Sequence, residues 1–264
     1  MSWGGTTVQG TCPGDLKCCS GAVQPDADAD TDTDGDADTD GDADTDGDAD
    51  TDGDADGDTD TGPIVSTCTE ADKQVCSTYE VNKHCGLTYE IWTDGSAGCM
   101  TNTKDGFKAE WNNGNANYLA RKGVRPGSKE PVVTYSADYN PNGNSYLAIY
   151  GWTQNPLIEY YIVDSWGSWR PPGTNKIGEV EVDGGKYDIY KSTRVNKPSI
   201  EGNTTFDQFW SVRQEKRTSG TITVAPHFQA WSDFGLTMGS FYEVSMVVEG
   251  YQSSGSATVQ VSFK

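Results

Sequence analysis

The chain has 264 residues and a formal net charge of -21, a length that allows one all-β domain of about 200 residues plus additional segments. The charge is unevenly distributed, because 18 aspartates and no basic residue lie between residues 26 and 60. The remainder is only mildly acidic and has neither a cluster of Lys and Arg nor a stretch of about 18 apolar residues, which excludes a nucleic-acid footprint and a membrane span.

The N-terminal segment, residues 1–24, contains cysteines but is too short to build a core without covalent links. The seven cysteines of the chain are Cys12, Cys18, Cys19, Cys68, Cys76, Cys85 and Cys99. Their spacings match no zinc motif, so we expect disulfides in a secreted protein, with the connectivity open and one cysteine left over. The first ten residues, MSWGGTTVQG, show no signal-peptide pattern, so secretion is expected from the cysteines alone.

Residues 25–63 are an Asp-rich, low-complexity segment in which the hexad DGDADT repeats from Asp34. Almost no apolar residue is present to offset the entropy of ordering, so we expect a disordered linker. Alternate aspartates followed by Gly resemble the first half of a calcium loop, but the bidentate Glu of such loops is missing throughout. The prediction is loose Ca²⁺ binding at most, over Asp34–Asp60, with specific calcium sites as the alternative.

From residue 64 onward the signals are almost all those of β-strands, and we expect one domain over residues 64–264. Predicted strands follow one another about every 8–12 residues, as in an antiparallel sandwich or jelly roll. They cover Leu87–Trp92, Phe107–Trp111, Asn117–Ala120, Val132–Tyr135, Ser145–Trp152, Ile158–Val163, Gly178–Val182, Gly185–Tyr190, Phe206–Arg213, Phe241–Glu249 and Ser256–Phe263. Tight turns are predicted at Asn142-Gly143 and at Asp183-Gly184-Gly185. One helix is predicted over Ala225–Leu236, with Phe228, Trp231 and Phe234 on one face.

Aromatic residues recur on one face of the strand that contains Ser145–Trp152. Tyr146, Ala148, Tyr150 and Trp152 alternate with the remaining positions and therefore point to the same side. Tyr and Trp carry polar groups that need partners in a dry core. A groove that stacks sugar rings and a core of large aromatics both remain open from residue types alone.

Two glutamates interrupt apolar strands. Glu159 lies within LIEYYIV, where it shares a face with Leu157, Tyr161 and Val163, and Glu249 lies within VVEGY. Either one alone is compatible with a solvated sheet face, since burying a lone carboxylate is costly. Two carboxylates that face one groove are what glycoside hydrolysis requires.

Three long motifs carry a family resemblance. The stretches are PLIEYYIVDSWGSWRPPG (residues 156–173), RVNKPSIEGNTTFDQFWSVR (194–213) and VVEGYQSSGSATV (247–259). In this order they resemble glycoside hydrolase family 11, the endo-β-1,4-xylanases, over roughly residues 76–264. The resemblance implies an all-β jelly roll of two twisted antiparallel sheets with one helix and a xylan-binding cleft. It also implies a retaining mechanism with Glu159 as nucleophile and Glu249 as general acid/base, whose carboxyls should lie about 5–5.5 Å apart.

The same resemblance implies a set of substrate-binding residues. Trp92 would stack on a sugar on the glycone side, and Pro198 would lie at the tip of a thumb loop that closes over the cleft. Asn117 would lie beside the acid/base, where family members with Asn work nearer neutral pH than those with Asp. The rest of the implied set is Tyr150, Trp152, Tyr161, Arg194, Gln208 and Tyr251.

The sequence therefore predicts a retaining endo-β-1,4-xylanase that acts on xylan as a monomer, without a cofactor, and binds neither nucleic acid nor membrane. Three alternatives remain open: a non-catalytic carbohydrate-binding jelly roll, a related cellulase of similar fold, and a calcium-dependent surface protein whose main functional element is the Asp repeat. The paired glutamates favour the enzyme, because a binding module needs no acid/base pair.

Overall fold

The computed structural model describes residues 67–264, apart from residues 96, 97, 113, 115 and 174. The predictions for the segment 1–24, the Asp-rich linker 25–63 and calcium binding by Asp34–Asp60 lie outside the described residues. Within the described part, no helix is long and apolar enough to cross a membrane.

Fourteen strands and one helix form the described part of the chain. In chain order the elements are β1 (Lys73–Val75), β2 (Tyr79–His84), β3 (Leu87–Thr93), β4 (Gly98–Thr103), β5 (Gly106–Asn112), β6 (Asn117–Val124), β7 (Val132–Gln154), β8 (Ile158–Trp166), β9 (Lys176–Val182), β10 (Gly185–Lys197), β11 (Thr204–Arg213), β12 (Ser219–Thr223), α1 (Val224–Asp233), β13 (Ser240–Phe241) and β14 (Val244–Phe263). All the strands predicted from the sequence are present, whereas β1, β2, β4 and β12 were not predicted.

The strands form the two layers of a jelly roll, joined by two long strands that belong to both. One layer has the order β2-β3-β6-β14-β7-β8-β11-β10-β9, and the other has the order β1-β4-β5-β14-β7-β12. The first half of β14 pairs with β6 and its second half pairs with β5, while β7 runs along its other side. Pairing is antiparallel except between β8 and β11, which are parallel because the β9–β10 hairpin intervenes in the chain.

The predicted turn at Asn142-Gly143 is wrong, because both residues lie inside the continuous strand β7. Asn142 is opposite Ser254, and the register shifts between Ser254 and Tyr251. Gly143 takes a φ of 105°, and a Cβ there would lie 2.8 Å from that of Ser253. The Asn-Gly signal thus marks a bulge in a long strand pair rather than a hairpin, since both features favour Gly.

The predicted hairpin at Asp183-Gly184 is present. Val182 pairs with Gly185, and the two turn residues have φ of 50° and 66°, as a type I′ turn requires. The two Asp183 carboxylate oxygens accept hydrogen bonds from the amide and hydroxyl of Thr223, at 2.7 and 3.0 Å. This contact fixes the residue that precedes α1.

The alternation of β8 separates two buried clusters. Ile158, Tyr160 and Ile162 face the core between the layers, while Tyr161 and Val163 face the concave side of the first layer. The helix α1 covers the core with Phe228 and Trp231, and the ring centroid of Phe228 lies 5.2 Å from that of Tyr160.

The predicted end of the helix was too late. The helix ends at Asp233, so Phe234 falls outside it as the C-cap residue and is exposed. The ring still covers the backbone of Gly178 on β9. Phe234 therefore does not extend the buried face of the helix.

Two disulfides attach the N-terminal strands to the domain, Cys68–Cys85 and Cys76–Cys99. Inside the same region the buried Lys122 amine contacts Nδ1 of His84 at 3.2 Å. The other ring nitrogen, Nε2, contacts the carbonyl oxygen of Ala71 at 2.9 Å. β1 and β2 are thus held by disulfides and polar contacts as well as by strand pairing. The structure pairs four of the cysteines, whose connectivity the sequence had left open.

Candidate active site

A cleft of about 900 Å³ lies on the concave side of the first layer. Strands β3, β6, β14, β7, β8, β11 and β10 all contribute side chains to it. The structure brings together in this cleft every site residue predicted from the sequence: Trp92, Asn117, Tyr150, Trp152, Glu159, Tyr161, Arg194, Pro198, Gln208, Glu249 and Tyr251. The concave aromatic face is therefore a groove wall as well as a packed cluster.

The two glutamates project from strands that flank β7. Glu159 is opposite Trp152 across the β7–β8 pair, and Glu249 is opposite Tyr146 across the β7–β14 pair. Their exposed fractions are only 8% and 7%. Each carboxyl is thus buried at the floor of the cleft, and neither lies on a solvated sheet face.

The hydroxyl of Tyr161 lies between the two carboxyls. Its oxygen is 3.2 Å from Oε1 of Glu159 and 3.0 Å from Oε2 of Glu249. These two carboxyl oxygens are therefore no more than about 6.2 Å apart, which favours the short carboxyl separation of retaining glycosidases over the about 6.5–9.5 Å of inverting ones.

Hydrogen-bond donors surround Glu159 on both oxygens. Tyr150 donates to Oε1 at 2.8 Å, and Nε2 of Gln208 donates to Oε2 at 2.6 Å. Trp152 in turn donates its indole N–H to the Tyr150 oxygen at 2.5 Å, which orients that hydroxyl toward the carboxylate. Burial raises the pKa of Glu159, and the donors from Gln208, Tyr150 and Tyr161 oppose that rise because they stabilise the charged form.

Glu249 has a different environment. Its Oε1 accepts one amide hydrogen bond, from Nδ2 of Asn117 at 3.2 Å. Burial, and then the charge of Glu159, raise the pKa of Glu249 to about 7, against a smaller lowering by Asn117 and Tyr161. The donors around Glu159 thus favour its charged form, whereas the raised pKa of Glu249 favours its protonated form.

The single proton of the Tyr161 hydroxyl is compatible with the same assignment. A tyrosine hydroxyl donates one hydrogen bond, so it cannot donate to two carboxylates at once. If Tyr161 donates to ionised Glu159, a protonated Glu249 can donate to the Tyr161 oxygen. The bridge then satisfies all three groups, with Glu159 charged and Glu249 neutral.

A stacked aromatic pair supports the floor of the cleft. The rings of Tyr161 and Trp210 are parallel within 6° with centroids 4.1 Å apart, and the Trp210 indole N–H donates to Ser192 at 3.0 Å. Trp210 was not predicted as a site residue. Its position opposite Tyr161 in the β8–β11 register is the signal that could have identified it, but a sequence does not reveal strand order.

The side walls come from more exposed residues. Trp92 on β3 and Tyr251 on β14 lie on either side of β6, near its first residues, opposite Leu119 and Asn117 respectively. Arg194 is exposed on β10, and its positive charge acts to lower the pKa of both glutamates. Pro198 follows β10 at the cleft rim. Arg194 and Pro198 therefore lie on the side of the carboxyls opposite to Trp92.

A quartet of charged residues at one end of the cleft was also missed. Arg121 and Arg125 each contact both Glu90 and Glu243, at 2.6–3.0 Å. The Arg121 guanidinium lies 5.0 Å from the ring centroid of Tyr150. Glu90 and Arg121 are cross-strand partners, so the pair is recognisable only once the β3–β6 register is known.

The one group of metal-ligand geometry within the described residues is Cys68, Glu70 and Cys85. Its two sulfur atoms are joined in a disulfide, so they are not available as thiolate ligands. This group lies in the N-terminal extension, and its residues do not line the cleft.

The sequence matches the family profile described as glycosyl hydrolases family 11 over residues 84–260. It is 55% identical over 189 residues to endo-1,4-beta-xylanase A of Thermoclostridium stercorarium, covering 68% of this chain but 29% of that protein. It is 50% identical over 208 residues to endo-1,4-beta-xylanase A of Bacillus pumilus, covering 75% of this chain and 90% of that protein. A solved endo-1,4-beta-xylanase of Trichoderma reesei superposes with a TM-score of 0.63 at 37% identity, covering 69% of this chain and 98% of that one.

Proposed function

The chain belongs to glycosyl hydrolases family 11, and we propose that it is a retaining endo-β-1,4-xylanase. The observation that carries this proposal is the pair of buried carboxyls, Glu159 and Glu249, bridged by one tyrosine hydroxyl in an aromatic cleft. In support of the proposal, one oxygen of each carboxyl lies within about 6.2 Å of the other, and their environments favour a charged Glu159 and a protonated Glu249.

In the first step the Glu159 carboxylate attacks the anomeric carbon of the sugar at the centre of the cleft. Glu249 gives its proton to the glycosidic oxygen, so the bond to the leaving chain breaks as the ester to Glu159 forms. Tyr150 and Gln208 hold the nucleophilic carboxylate in place through hydrogen bonds to its two oxygens. The products are a shortened chain with a new hydroxyl and a glycosyl-enzyme ester.

In the second step a water molecule replaces the departed chain. Esterification removes the charge of Glu159, which is one cause of the raised pKa of Glu249, so that pKa falls and Glu249 becomes a base. It takes a proton from the water, whose oxygen attacks the anomeric carbon and releases Glu159 as a carboxylate. Two inversions at one carbon give net retention.

The other classes considered for this sequence have less support. A non-catalytic binding module would not need two buried carboxyls, whose burial is costly. For the choice of xylan over cellulose we rely on the relatives named above, since the described residues hold no sugar. In our proposal Trp92 stacks on a sugar on the glycone side, and Pro198 at the rim closes over it.

A direct assay separates these classes. We expect wild-type protein to release reducing ends from soluble xylan, with little release from soluble cellulose, and proton NMR should show the β-anomer as the first product. Binding of xylan without turnover would select the binding module, equal turnover of both polymers would select a broad glucanase, and an initial α-anomer would contradict retention.

The pH dependence provides a second prediction. We expect a bell-shaped profile of kcat/KM whose alkaline limb has an apparent pKa near 7, because Glu249 must be protonated to act as the acid. The acidic limb reports ionisation of Glu159. Since the Asn117 amide stabilises ionised Glu249, Asn117→Ala should move the alkaline limb to higher pH.

The matched control for that experiment is Asn144→Ala, which changes another asparagine of the cleft. Among the described residues the side chain of Asn144 makes no hydrogen bond to Glu249, so the alkaline limb should stay in place. If both variants shift the limb equally, or Asn117→Ala shifts it downward, the assignment of that limb to Glu249 is wrong.

The wider setting of the enzyme is also a proposal. The two disulfides fit an oxidising, extracellular compartment, and we propose that the protein is secreted. We further propose that residues 64–264 act as the catalytic domain, as a monomer and without a cofactor. Deleting residues 1–62 should then leave activity on soluble xylan nearly unchanged.

A further inference from the structure

An exposed tyrosine that was not predicted as a site residue lies at one end of the cleft. Tyr79, the first residue of β2, is 57% exposed and lines the cleft beside Trp92. A large aromatic ring that is more than half exposed on an edge strand contributes little to the core, and the Tyr side chain offers an apolar ring face and a polar hydroxyl to a ligand in the cleft. The reaction proposed above makes no use of it.

The strand register places this ring in line with the catalytic centre. Tyr79 is opposite Trp92, Trp92 is opposite Leu119, and Leu119 is opposite Glu249. Residues in one cross-strand row point to the same face of the sheet. With strands about 4.8 Å apart, Tyr79 lies about 14 Å along the sheet from Glu249 and one strand beyond Trp92. One strand spacing is close to the length of one sugar unit in an extended β-1,4-linked chain.

The ring rests on a firmly held segment. Thr93 donates its amide hydrogen to the Thr78 carbonyl at 2.9 Å, which extends the β2–β3 ladder past Tyr79. Three residues before Tyr79, the Cys76–Cys99 disulfide ties the chain to β4. A surface that is fixed before ligand binding loses little entropy on binding, so an exposed ring here is well suited to stacking.

We propose that Tyr79 is a sugar-stacking platform that adds one binding position for a xylosyl unit beyond Trp92, on the glycone side. This inference rests on the proposed function and names a longer glycone as the preferred substrate. The N-terminal strand β2 then contributes to the number of sugar units that the enzyme binds.

Two chromogenic substrates that differ by one sugar test the platform. Nitrophenyl β-xylobioside fills the two glycone positions nearest the scissile bond and is too short to reach Tyr79, whereas nitrophenyl β-xylotrioside reaches it. For wild type we expect a higher kcat/KM for nitrophenol release from the trioside. Tyr79→Ala should lower the trioside-to-bioside ratio about fivefold, as expected for loss of one ring contact, and leave the bioside value unchanged.

Two controls isolate the ring. Tyr79→Phe keeps the stacking surface and should keep the ratio. Val81→Ala alters the other exposed apolar side chain on the same face of β2, at 39% exposure, which does not line the cleft, and should also keep the ratio.

The outcomes separate this proposal from the one before it. An unchanged ratio in Tyr79→Ala, or an equal loss on both substrates, would overturn the platform while leaving the xylanase intact. Failure of the wild type to cleave either substrate or xylan would instead overturn the proposed function.

Discussion

Glu159→Ala should reduce kcat on xylan by at least about 10⁴-fold, in line with the loss of a residue that acts within a catalytic unit. The reason is that no other described carboxylate lies where Tyr150, Gln208 and Tyr161 converge on Glu159. Without that nucleophile the glycosyl-enzyme cannot form. Initial rates of reducing-end release, measured against protein of the same thermal stability, provide the test.

Azide sharpens this first test, because it is small enough to enter the space that the carboxylate leaves. With nitrophenyl β-xylobioside and azide, the Glu159→Ala variant should form the α-glycosyl azide, since attack comes from the face that Glu159 occupied. Glu159→Gln keeps the volume of the side chain and should not be rescued. A β-azide product from Glu159→Ala would mean that Glu159 is not the nucleophile.

Glu249→Ala should show an effect that depends on the leaving group. On xylan, where the leaving oxygen needs a proton, we expect a loss of about 10²–10⁴-fold, the range for general acid catalysis. On a dinitrophenyl xylobioside the first step needs no proton, so the loss should be confined to the second step and azide should restore turnover. The product should now be the β-glycosyl azide, opposite in configuration to that from Glu159→Ala.

Glu249→Gln is the matched control for folding. The raised pKa of Glu249 means that the native state holds a proton that the unfolded state releases, so this group lowers stability as pH rises from its ordinary pKa toward about 7. At pH 8, the unfolding temperature of the Gln variant should therefore be no lower than that of the wild type. An equal loss of activity on all leaving groups would contradict the role of Glu249 as acid.

Local patterns predicted some elements well because the physics behind them is local. The alternation in Leu157–Val163 correctly separated Glu159 and Tyr161 from Tyr160, since period-two geometry is a property of any strand. The Asp183-Gly184 hairpin followed from the two positive φ angles that its turn needs. The motifs around both glutamates then indicated the cleft.

Other features depend on contacts between distant segments, which a single sequence does not encode visibly. Asn142-Gly143 has the composition of a turn, but pairing with β14 keeps it within a strand. The stacking of Trp210 on Tyr161, the Glu90–Arg121 contact and the position of Tyr79 all require knowledge of strand order and register. The cysteine pairing likewise needs the fold, because even the four cysteines of the described residues allow three connectivities.

The double membership of β14 has a consequence for how the enzyme is made. This strand follows every other described strand in the chain, and it supplies both the partner of β6 in one layer and the partner of β5 in the other. Because a ribosome synthesises the chain from its N-terminus to its C-terminus, neither layer is complete while β14 is still being synthesised. The nascent polypeptide therefore stays catalytically silent until β14, which carries Glu249, has been synthesised, and the joining of the two layers through this strand must be a late event, as expected for a topology dominated by distant contacts.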